Sequence, residues 1–103
     1  MQIPSEQVIY KKQIGKLGDV PIWELGLMGG LHLVVAARKG KAETLGVGPH
    51  RAVARHIAMK REPSMTVTEL SKSDYYDPAH FQHLVPRYEA MSAAFREAQG
   101  LED

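Results

Sequence analysis

His50, Arg51, Arg55, His56 and Lys60 stand close together in TLGVGPHRAVARHIAMKREP, the stretch from Thr44 to Pro63. Their types and spacing suit one kind of chemistry, the binding of negative charge. At about 100° per residue on a helix, Arg51 and Arg55 are one turn apart, as are His56 and Lys60, so each pair is adjacent in space. Val53, Ala54, Ile57 and Ala58 form the apolar arc of that helix, and the opposite arc carries Arg51, Arg55, His56, Met59 and Lys60. No acidic residue lies between Glu43 and Glu62, so these cations have no partner within the helix. A strip of this kind would follow phosphates or an acidic protein. It would equally serve as a solvated face, or as one neutralised by Glu89 and Glu97.

Just upstream, Gly46-Val47-Gly48-Pro49 reads as a turn from a strand into the helix. Free N–H groups at a helix N-terminus attract anions, which makes Gly46, Gly48, His50 and Arg51 a candidate anion site. The stretch lacks the lysine-serine/threonine ending of a P-loop, and Arg51 stands where a dinucleotide fingerprint needs its third glycine. A plain turn ahead of a packed helix explains it as well.

Other chemistry is sparsely represented. His80 and His83 have a spacing that can share a metal on a helix, but no carboxylate completes a known ligand pattern, so no metal is expected there. No cofactor is expected either. His32 falls in an apolar strand and is expected to be partly buried and hydrogen-bonded through its ring nitrogens. The chain has no cysteine, which removes disulfides, a thiolate nucleophile and cysteine-type zinc sites. The serines sit in no pattern that names an activating base. No catalytic residue is assigned. The acids and tyrosines of KSDYYD, residues 72–77, read as a polar loop leading to a helix cap.

These residues are carried by 103 positions, 44% hydrophobic and 24% charged, the size and composition of one globular domain. Net charge is only +1 but is unevenly spread. Residues 38–61 hold Arg38, Lys39, Lys41, Arg51, Arg55, Lys60 and Arg61 against Glu43 alone, while acids outnumber bases from residue 62 onward. The acidic part is expected either to leave a basic face open or to fold back on it. MQIPSEQ has no signal-peptide character, and the most apolar stretch, Leu25–Ala37, is shorter than the roughly 20 residues that a membrane helix needs. A soluble, cytoplasmic protein without a membrane partner is expected.

The elements follow from periodicity. Residues 7–14, Val20–Met28, Leu31–Ala37 and Ala42–Val47 alternate as strands, joined by GKLGD, Gly29-Gly30 and RKGK. The joins are too short for crossover helices, so neighbours should be antiparallel, with Leu31–Ala37 central. A helix with Pro49 at its first position should run to Pro63, followed by a fifth strand at Met65–Leu70. A last helix should begin at Asp77-Pro78, with Pro86 kinking or splitting its apolar stripe Phe81, Leu84, Val85, Tyr88, Met91, Phe95, and Gly100 capping it. The expected fold is a single α+β domain, residues 1–103: a mainly antiparallel five-stranded sheet in the order ββββ-α-β-α, both helices packed on one face. Val20, Ile22, Met28 and Val34 would then share an apolar face that a second copy covers, giving a homodimer. The leading functional expectation is a small non-enzymatic binding or regulatory module whose cationic helix, through Arg51, Arg55, His56 and Lys60, meets nucleic acid or an acidic protein. The alternative is a ligand-binding domain or enzyme with an anion site at the Gly46–Arg51 turn, in a concave pocket holding His32 or His50.

Overall fold

The computed structural model describes residues 5–67 and 78–101. Four strands, β1 (Val8–Leu17), β2 (Val20–Leu27), β3 (His32–Arg38) and β4 (Lys41–Gly48), form an antiparallel meander, as their short joins require. Helix α1 (Arg51–Arg61) follows, then β5 (Thr66–Val67), two short 3-10 turns at Pro78–His80 and Gln82–Leu84, and helix α2 (Val85–Ala98). The sheet order is β4-β3-β2-β1-β5. The fold is α+β, with one five-stranded antiparallel sheet and two helices.

Some boundaries differ from expectation. Pro49 lies ahead of the N-cap, which is His50, so it fixes the approach to α1 and is not its first helical residue. Pro86 does split the C-terminal stripe: it falls in the first turn of α2, where its missing N–H costs no hydrogen bond. Of the expected strand Met65–Leu70, Thr66 and Val67 pair with Lys16 and Gly15. Thr68–Leu70, Asp77 and the KSDYYD segment lie outside the described residues.

The two helices do not share a face, contrary to expectation. Cross-strand register puts Ile22, Val34 and Ala36 on one side of the sheet, where they pack with Ile14, Leu45, Ala54, Ala58 and Met65. It puts Leu25, Leu33 and Val35 on the other, where they pack with Leu27 and Val47 and receive Tyr88, Met91 and Phe95 of α2. A strand as apolar as β3 is hydrophobic on both faces, and both need a cover. α1 supplies one and α2 the other. They meet through Val53, Ile57, Phe81 and Val85 beside β4. Among the described residues the apolar face that motivated a homodimer is therefore covered: Ile22 and Val34 are fully buried under α1, and of the four expected residues only Met28 is exposed.

α2 also closes the outer edge of β4. Ser92 Oγ accepts from the Val47 N–H at 3.0 Å, Gln99 Oε1 accepts from the Thr44 N–H at 3.0 Å, and Gln99 Nε2 donates to the Ala42 carbonyl at 2.9 Å. Arg96 Nη1 donates to the Thr44 carbonyl at 2.8 Å. Side chains thus do the work of a neighbouring strand and leave no open edge along these residues. Removing the hydroxyl in Ser92→Ala strands a buried N–H, so urea unfolding should show a loss of about 2 kcal/mol, with faster amide exchange at Val47. An unchanged midpoint would show that this bond contributes nothing.

Candidate functional site

Glu24 is the residue around which the polar side chains gather. It sits in β2 between Ile22 and Gly26 on the face toward α1 and has no exposure. Carboxylates are rarely buried completely unless paired, and Glu24 is paired twice. Arg55 Nη2 lies 2.7 Å from Oε2, and Arg51 Nε lies 3.0 Å from Oε1. The two arginines are one helical turn apart, on the same stripe of α1 as Ala54 and Ala58, so both reach into the sheet. Glycine makes this approach possible: a Cβ at Gly46 would stand 2.8 Å from the Ala58 backbone nitrogen and closer still to the Ala54 carbonyl oxygen.

Tyr10 completes the cluster from β1. It pairs across the sheet with Gly26, which in turn pairs with His32 of β3. Gly26 has no side chain to fill that row, and the Tyr10 ring occupies the space where its Cβ would be. The ring therefore spans to β3: Tyr10 Oη lies 3.0 Å from His32 Nδ1, 3.2 Å from Glu24 Oε1 and 3.2 Å from Arg51 Nε. The Arg51 guanidinium also lies over the Tyr10 ring, 5.3 Å from its centre. Burial, reinforced by the Glu24 charge and opposed by Arg51, raises the Tyr10 phenol above its ordinary value. Burial also lowers the His32 imidazole, with Glu24 acting against it and Arg51 and His50 acting with it. At neutral pH the pair is a protonated phenol beside an uncharged ring.

The cluster is graded from sealed to open. Glu24 and Arg55 are buried, Tyr10 and His32 are half-buried, the Arg51 side chain is 33% exposed, and His50 and Lys12 are exposed. Lys12 stands directly opposite Glu24 in the β1–β2 register. Two cations, Arg51 and Arg55, pair with one carboxylate. Arg55 Nε is buried without a hydrogen-bond partner among the described residues.

The structure places the sequence-derived site residues as follows. Arg51 and Arg55 are adjacent, as their spacing requires, but they are turned into the fold and do not form an exposed strip; Arg55 is 5% exposed. His56 packs edge-on against Phe81. Lys60 pairs with Glu89 of α2 at 3.2 Å, so the acidic C-terminal part does fold back on this helix. Gly46 and Gly48 are not loop residues: both belong to β4, both are buried, and both lie under α1. His50 and Arg51 do stand at the start of α1. His80 and His83 fall in separate 3-10 turns and are exposed, and no three His, Asp or Glu side chains converge among the described residues. His32 is half-buried, as expected, but among the described residues it is bonded through Nδ1 and not through both ring nitrogens.

Glu24 and Tyr10 are the residues that sequence reasoning missed. The signal for Glu24 was present, because the alternation that puts Val20 and Ile22 on one face of β2 puts Glu24 there too. The fold and cluster together define an α+β domain with a charged centre between its sheet and first helix. No family model, curated protein or solved structure matches the chain. No helix among the described residues is long and apolar enough to cross a membrane.

Proposed function

We propose that this chain is a small ligand-binding domain that takes an anion at the open side of the Glu24 cluster. The observation that carries this reading is Arg51, a guanidinium held in place by Glu24 and by the Tyr10 ring yet still one-third exposed. A cation fixed by a buried partner loses little freedom on binding, which favours recognition of a carboxylate or phosphate. His50, at the start of α1, supplies a further donor, and two arginines against one carboxylate favour an added negative charge. A nucleic acid or acidic protein would meet a weaker surface on α1 than the sequence suggested. Arg51 and Arg55 are engaged inward, and Lys60 is already paired with Glu89.

Nuclear magnetic resonance tests this with inorganic phosphate titrated into labelled protein at constant ionic strength. Saturable shifts should centre on His32, His50 and the Arg51 Nε–H, and Arg51→Gln should weaken the binding by about tenfold or more, which corresponds to about 1.4 kcal/mol. Shifts confined to α1 residues Lys60 and Arg61, or none at all, would count against a site at the cluster.

A further inference from the structure

Tyr10 Oη has three neighbours and one proton. Arg51 Nε–H can only donate to it, so the proton goes either to Glu24 or to His32 Nδ1. A buried carboxylate is the stronger acceptor, and leaving it short of a donor costs more than turning an imidazole over. Tyr10 therefore donates to Glu24 and accepts from His32, which places the single ring proton on Nδ1. The other nitrogen, Nε2, makes no hydrogen bond among the described residues, and the ring is half-buried, not sealed.

We infer that Glu24, Tyr10 and His32 form a carboxylate–phenol–imidazole relay that fixes the tautomer of His32 and presents Nε2 as a hydrogen-bond acceptor, so that the ligand is an oxyanion carrying a hydroxyl proton, of the phosphate or phosphate-monoester class. This rests on the anion site proposed above. In the bound state the ligand O–H donates a hydrogen bond to Nε2, and no proton changes owner. The Nδ1–H donates to Tyr10, and Tyr10 donates to Glu24, so each donor along the relay meets an acceptor. The charged groups that act on the ring are Glu24 on β2 and His50 and Arg51 at the start of α1. Burial lowers the imidazole, Arg51 and His50 act with it and Glu24 acts against it, so the ring is uncharged at neutral pH and Nε2 is an acceptor there.

Long-range nitrogen–proton correlation spectra of the full chain report the tautomer directly. At neutral pH without ligand, His32 should show a protonated Nδ1 and a bare Nε2, the reverse of what a solvent-exposed imidazole prefers. Tyr10→Phe, which removes the acceptor and keeps the ring, should move the proton to Nε2. Phosphate should bind about tenfold more tightly than sulfate, which has no proton to give at neutral pH. A proton on Nε2 in the unaltered protein overturns the relay whatever phosphate does. Equal binding of phosphate and sulfate, with the proton on Nδ1, overturns the ligand class. Binding of neither anion, with the proton on Nδ1, overturns the anion site and the ligand class built on it, while the relay itself stands on the tautomer.

Discussion

Arg55→Ala should lose about 3–5 kcal/mol of stability in urea unfolding, a large share of what a domain of this size has. The cost does not come mainly from the lost attraction. It comes from leaving Glu24 fully buried with one of its two paired arginines gone. Arg55→Glu should not fold at neutral pH, because it sets two carboxylates against each other in the interior. The double variant Glu24→Leu with Arg55→Met separates the two contributions. It removes both charges and keeps most of the volume, so it should recover most of the loss while abolishing phosphate binding. If Arg55→Ala stays within about 1 kcal/mol of the unaltered protein, the pair is not holding α1 to the sheet.

Gly46→Val should cost about 3 kcal/mol by a different route. Valine suits a strand, and nothing in the backbone of β4 forbids it. The obstacle is the backbone of α1, since the new Cβ would meet the Ala54 carbonyl oxygen and the Ala58 nitrogen, neither of which can swing aside as a side chain would. α1 would have to lift, taking Arg51 and Arg55 away from Glu24. Stability and phosphate affinity should therefore fall together. Stability lost with affinity unchanged would mean that the sheet yields there and the helix does not.

Much of the fold is legible in the sequence because the decisive information is local. Alternation marks β1 to β4, and the short joins force an antiparallel meander. The arc Val53, Ala54, Ile57, Ala58 shows that α1 packs. It does not show that the arc serves two neighbours, with Ala54 and Ala58 against the sheet and Val53 and Ile57 against Phe81 and Val85. That division rotates Arg51 and Arg55 inward, and a cation read on its own is always assigned to water. The row Tyr10–Gly26–His32 is harder still. It depends on register across three strands, and register shifts between Val8 and Tyr10 and between Gln13 and Gly15 displace β1 along its partner. The place of α2 was missed for a related reason. Ser92, Arg96 and Gln99 look like an ordinary polar helix face until the backbone groups of β4 are known to lie against them.

The cover on the β4 edge has a consequence in time. Ser92, Arg96 and Gln99 come after the meander and after α1 in the chain, so during synthesis the sheet and α1 emerge while the residues that close the edge are still unmade. For that interval the Thr44 and Val47 amides and the Ala42 and Thr44 carbonyls face outward. Such a row can recruit a strand from a neighbouring nascent chain. Docking of α2 closes that row, so the edge of β4 is protected by a segment made after it.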